Sequence, residues 1–138
     1  MRERPLRCCL CYSPAAAMLE VFLWYQRILA VFYVFGALIH AANLFGLGRY
    51  TVKEMPRAWL AADIGFLSLD LAVVAGLWTP TAWGRICFLA AAGTQLLMFT
   101  QFPNVFSETD KDREQLRGLV RFHVVSVAAF LVLWFLAR

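Results

Sequence analysis

AWLAADIGFLSLDLAVVAGLW, residues 58–78, decides the class of this chain. At a helical rise of about 1.5 Å per residue it covers roughly 30 Å, the thickness of a bilayer's hydrocarbon core. No basic residue interrupts it, and it contains two acids, Asp63 and Asp70. They stand seven positions apart, so on a helix they share one face. Acids at membrane depth are expensive, so that face must turn toward a bundle interior and mark something the interior does.

The whole composition agrees with a membrane class. The chain has 138 residues, 62% of them hydrophobic. Mean hydropathy is +0.65. A soluble domain of this size has too few polar residues to cover so much apolar surface. The length allows one domain, residues 1–138. The formal net charge is +4, but the basic residues are scattered and do not alternate with exposed aromatics. That argues against nucleic acid as a partner. Cys8, Cys9 and Cys11 crowd the N-terminal segment and Cys87 lies in a later apolar run. An odd cluster of three does not make a disulfide framework, and CCLC lacks zinc-ligand spacing. The plain reading is reduced thiols on a short tail, with acylation beside a membrane helix as the alternative. The first apolar stretch is too long for a signal-peptide core and reads as a retained span.

Four spans follow, at about 21–45, 58–78, 81–102 and 119–137. They predict an all-α integral membrane four-helix bundle of up-down topology. The link TPTAWGR, residues 79–85, is short enough to make spans two and three a tight antiparallel hairpin. Between spans three and four, SETDKDRE has the pattern of a helix cap with an acidic first turn, and predicts a short surface helix. Trp24, Tyr25, Tyr50, Trp59, Trp78, Trp83 and Trp134 sit near span ends, as an interfacial aromatic belt requires. Arg2, Arg4, Arg7, Arg27, Arg85 and Arg138 fall on one side of the membrane, and the other seven basic residues on the opposite side. That count is balanced, so the Arg-rich leading tail decides for both termini in the cytoplasm. The expected location is a bacterial inner membrane.

Each span carries a polar stripe. Gln26, Tyr33 and His40 recur at intervals of seven in span one, with Gly36 and Asn43 beside them. Cys87, Thr94 and Gln101 do so in span three, with Gln95 adjacent. His123 and Ser126 are three apart in span four. Span two also carries small pairs at four-residue spacing, Ala61 with Gly65 and Ala72 with Gly76, which favour close helix approach. Measured from the span midpoints, His40 lies roughly 10 Å, Asp63 roughly 7 Å, Gln95 roughly 5 Å and His123 roughly 7 Å toward the same side. Asp70 lies just below, near mid-bilayer. The candidate site is this layer: His40, Asp63, Asp70, Gln95 and His123, with Tyr33, Asn43 and Thr94 as structural polar groups.

Several readings of the layer compete. The simplest is a polar network in which Asp63 pairs with His40 or His123 and Gln95 completes the hydrogen bonds. A second is a quinone or lipid-headgroup site, because a His and an Asp at one depth can hydrogen-bond a carbonyl and exchange its protons. A bis-histidine haem on His40 and His123, a metal on those two with Asp63, and a proton path through both aspartates are less favoured. No metal and no resident cofactor are expected; a quinone is the ligand the layer would hold. No phosphate loop, nucleophile elbow or H-E-x-x-H is present, so an enzyme is not expected.

DLAVVAGLWTPTAWGRICFLAAAGTQLLMF, residues 70–99, resembles the hairpin of DoxX-like small four-helix membrane proteins: an acid-bearing helix, a Gly-containing turn and a helix rich in small residues. MPRAWLAADIG, GLWTPTAWGR and AAAGTQLLMFTQFPNVF also look like an uncharacterised four-helix inner-membrane family of proteobacteria. The DoxX-like resemblance implies an association with quinone-linked sulfur oxidation, thiol redox complexes or chaperoning of membrane partners. The chain lacks paired cysteines within its spans, which does not fit disulfide exchange. The leading expectation is a non-catalytic accessory or assembly subunit of a larger, redox-linked membrane complex, with the bilayer and membrane proteins or further copies of itself as partners. The alternative is a quinone-binding redox subunit using His40, Asp63 and His123.

Overall fold

The computed structural model describes residues 14–48, 55–107 and 109–138. Cys8, Cys9, Cys11 and Tyr50 lie outside the described residues. Within them the elements are α1 (Pro14–Leu44), α2 (Arg57–Trp78), α3 (Ala82–Gln101), a single turn α4 (Pro103–Phe106) and α5 (Asp110–Leu136), with no strand among the described residues. Helices α1, α2, α3 and α5 are each long and apolar enough to cross a membrane. They pack in a ring in that order, each backbone against its two neighbours, and only side chains such as Tyr33 of α1 and Phe88 of α3 meet across the diagonal. The all-α bundle of membrane-spanning helices predicted from the sequence is the observed fold.

Local chemistry explains the helix ends. Helix α1 stops in a Schellman motif: Gly46 takes a left-handed φ of 73°. Its N–H donates to the Asn43 carbonyl at 2.9 Å, and that of Leu47 to the Ala42 carbonyl at 2.9 Å. Only glycine adopts that backbone without a steric penalty. Thr81 caps α3 by accepting from the Gly84 N–H at 3.3 Å. Thr109 caps α5 through a reciprocal box with Asp112.

Two boundaries differ from the sequence reading. Helix α1 begins at Pro14, not near residue 21. Its first turns, AAAMLE, are strong helix formers that hydropathy alone does not count as membrane span. The surface helix expected in 103–118 is not a separate element. Its capped acidic start is the start of α5, which runs unbroken through the fourth span, while α4 is an additional turn begun by Pro103 at a favourable first position.

The bundle packs most tightly at the end holding the α2–α3 turn. There Gly76 and Gly84 bring two backbones into contact; a Cβ on Gly84 would overlap the Gly76 carbonyl. Phe22, Leu29, Leu77, Phe88 and Phe130 fill the interior beside this crossing, all essentially inaccessible. Phe88 and Phe130 have ring centroids 4.7 Å apart, and Phe22 meets Phe130 edge-on at 5.2 Å. The outward surface is apolar: Ile28, Phe35, Ile39, Ile86, Val125 and Phe135 are all exposed. Such outward hydrophobics are what a bilayer solvates.

One stripe points the other way from expectation. Thr94 and Gln101 are exposed and Cys87 is only half-buried. The inward face of α3 carries Gly84, Phe88, Ala91, Ala92, Gln95 and Phe99. Thr94 is therefore not an interior polar group; it stands about 100° around the helix from Gln95. Large aromatics and a long amide fill the interior, whereas a hydroxyl is tolerated outside because it can bond back to its own helix, as Thr100 does to the Leu96 carbonyl at 2.7 Å. Ala61 and Gly65 also face outward, and a Cβ on Gly65 would meet nothing within 4 Å. Of the two small pairs, only the one containing Gly76 packs a helix.

Candidate functional site

The two aspartates of α2 hold separate polar clusters at successive depths. His40 lies one turn before the end of α1, facing the first turns of α2. Its Nδ1 is 2.6 Å from Asp63 Oδ1. Asn43, three positions on and so on the same helix face, donates its Nδ2 to that oxygen at 3.2 Å. A carboxylate oxygen accepts, so the His40 Nδ1 carries the proton and Nε2 is left for another partner. The second oxygen of Asp63 is buried with no protein partner.

Asp70 lies two turns deeper and is 1% exposed. Gln95 of α3 donates its Nε2 to Asp70 Oδ1 at 3.3 Å. Gly36 of α1 makes room for the carboxylate: a Cβ there would stand 2.5 Å from Asp70 Oδ2. Tyr33, one turn from Gly36, is buried, and its hydroxyl has no partner. On α5, the His123 Nδ1 lies 2.8 Å from the Leu119 carbonyl oxygen. A carbonyl can only accept, so this ring too carries its proton on Nδ1 and keeps Nε2 for another partner. Second-sphere bonds of this kind fix an imidazole's tautomer and orientation.

Two cavities open onto these clusters. The outer one holds about 560 Å³ between the ends of α1 and α2 and the start of α5. His40, Asn43 and Asp63 form its polar wall, and Trp59, Phe66, Phe106 and Phe122 its aromatic walls. Helix α4 closes it from one side: Trp59 donates its indole N–H to the Val105 carbonyl at 2.7 Å, and Phe106 packs at 5.6 Å from Phe99 and 6.4 Å from Phe66. The inner cavity holds about 190 Å³ and touches Tyr33, Gly36, Asp70, Gln95 and His123. His40, Ile39, Phe99, Leu119 and Phe122 border both.

The structure therefore brings His40, Asp63, Asp70, Gln95, His123, Tyr33 and Asn43 to two adjoining compartments. Of the two partners expected for Asp63, His40 is the one that faces it, and the difference from the sequence expectation lies in the amides. Asn43, not Gln95, completes that pair, and Gln95 belongs to Asp70. A shared depth does not specify a shared azimuth: adjacent helices meet at Asp63, and α3 reaches only the deeper acid. Sequence reasoning also missed the aromatic walls. The signal was there, since Phe66 lies three positions after Asp63 on the same face and Phe122 neighbours His123. Among the described residues, no group of three His, Cys, Asp or Glu side chains is placed to hold a metal ion.

Comparison with known proteins places the chain at family level. No curated protein and no solved structure matches it. A family model described as a family of unknown function (DUF6163) matches residues 20–138, which include every residue of both compartments. The chain belongs to the DUF6163 family.

Proposed function

We propose that this protein binds a membrane-soluble molecule with a hydrogen-bonding ring, of the quinone or quinol class, in its outer cavity, and serves a larger redox-linked membrane complex as a ligand-holding subunit. The observation that carries the reading is the His40–Asp63 pair set in the wall of an aromatic cavity of about 560 Å³. That size lies within the roughly 300–1,000 Å³ common for small-molecule sites, which are mostly apolar with a few placed polar groups. The resemblance of residues 70–99 to DoxX-like proteins points the same way.

The chemistry follows from the tautomer. With Nδ1–H held by the Asp63 carboxylate, Nε2 accepts from a quinol hydroxyl; once protonated, it donates to a quinone carbonyl. Asp63 stabilises the imidazolium formed between those states. Phe66, Phe106 and Phe122 supply flat apolar surface for the ring. The protein's part is to bind, orient and exchange protons, and the two electrons belong to a redox partner in the complex. A bacterial inner membrane with both termini in the cytoplasm is the setting we infer, and reporter fusions at the two ends test it.

Titration of the purified protein with a short-chain ubiquinone analogue, followed by aromatic fluorescence quenching, tests the site. Saturable one-to-one quenching is expected, and His40→Ala is expected to weaken it at least about tenfold while leaving the helical spectrum unchanged. Absence of saturation in the wild type, or full binding by a folded His40→Ala, overturns the proposal. The subunit role has its own readout, a native mass spectrum after gentle extraction: a fixed large assembly supports it, and a lone monomer refutes it.

A further inference from the structure

We propose that the inner cavity binds an organic ammonium cation, with Asp70 as its counter-charge. The inference goes beyond the outer-cavity reading and uses a different carboxylate.

The argument starts from charge. Asp63 is faced by His40. Asp70, two turns deeper and as fully buried, has as its hydrogen-bond partner a neutral amide, Gln95. Among the described residues, His123 bonds to a backbone carbonyl, that of Leu119, and not to either carboxylate. His40 borders the same cavity, but its Nδ1 is held by the other carboxylate, Asp63, so among the described residues Asp70 has no cation within hydrogen-bonding distance. A carboxylate so placed inside a membrane bundle is costly, and a cation beside it is strongly favoured. The cavity of about 190 Å³ lies directly against Asp70, and the buried, unpartnered hydroxyl belongs to another of its wall residues, Tyr33.

The walls select the kind of cation. A bare metal ion needs several hard oxygen ligands, and the described residues offer no such cluster. Instead Phe32, Tyr33, Phe99 and Phe122 line the space. Aromatic faces attract cations, and they suit one that carries its own apolar substituents. An alkylated ammonium satisfies both demands: charge toward Asp70, alkyl groups toward the rings. Phe32 of α1 and Phe122 of α5, which meet edge-on at 5.3 Å, form the wall between those two helices.

The test uses the full chain in phosphatidylglycerol nanodiscs, which contain no choline headgroup. Equilibrium dialysis measures binding of radiolabelled choline. Its uncharged isostere, dimethylbutanol, with carbon in place of nitrogen, serves as competitor at constant ionic strength. Saturable choline binding is expected, with the isostere at least about tenfold weaker. Asp70→Asn should lose choline binding to a similar degree, and Asp63→Asn should keep it. Failure of the wild type to bind choline, equal competition by the isostere, displacement by equimolar sodium, or retention of binding in Asp70→Asn each overturns the proposal. The comparison of choline with its isostere needs no variant, and so stands even if Asp70→Asn does not fold. The quinone titration reads the other cavity, so either proposal can fail alone.

Discussion

The two ends of the bundle are built on opposite plans. At the end holding the α2–α3 turn, Gly76 and Gly84 let two helices touch backbone to backbone, and Phe22, Leu29, Phe88 and Phe130 fill the interior between the helices. At the other end Phe66, Phe99, Phe106 and Phe122 stand between the helices, and cavities of about 560 and 190 Å³ remain beside His40, Asp63, Asp70 and His123. Aromatic side chains are used in both places. In the first they interlock; in the second they line walls. Close packing holds the helices in place at one end, so the other can remain hollow and polar without the bundle coming apart.

Substitutions can break or sharpen this contrast. The largest effect is expected from Phe88→Ala, which empties the centre of the tight end and should cost about 3–5 kcal/mol, read as unfolding in mixed micelles. Gly84→Ala comes next. Its methyl group would push the Gly76 backbone away, costing about 1–3 kcal/mol and loosening the hairpin, which a cysteine pair across the turn would report as slower crosslinking. Gln26→Met should change stability in the opposite direction. Gln26 is wholly buried in the tight end and neither of its amide atoms has a protein partner, so an apolar side chain of similar shape should stabilise by about 1–2 kcal/mol. A loss of stability would show that a buried water holds that amide.

In the hollow end the same unfolding assay should move less. Asp63→Asn keeps an oxygen that can accept from His40 and Asn43, so the expected loss is about 1 kcal/mol, typical of polar contacts between membrane helices, while quinone retention falls far more. A stability loss as large as that of Phe88→Ala would mean that the pair is structural and the halves are not separate in role. The smallest effect belongs to Thr94→Val, on the outward face of α3, at under about 0.5 kcal/mol and with ligand binding unchanged.

Much of this was legible in the chain itself. Asp63 and Asp70 at a spacing of seven, inside an apolar run, had to face inward, and both are buried. His40, Gln95 and His123 were readable by the same logic. Thr94 was not, because hydroxyls, unlike carboxylates and imidazoles, are cheap on either face of a membrane helix and so carry no direction. The choice between His40 and His123 as partner of Asp63 was closed to sequence for another reason. Depth follows from counting residues along a helix, but azimuth depends on which neighbour each helix packs against.

The sequence by itself determined the number of long apolar helices, the position of each polar group along its helix and the place of the tight turn, because hydrophobic thickness and helical rise act along one dimension. Tertiary structure alone decided that His40 and Asn43 meet Asp63, that Gln95 meets Asp70, and that two cavities lie between them. Those outcomes depend on how bulky rings on four helices fill the space between the axes, and no periodicity along a single helix encodes that volume.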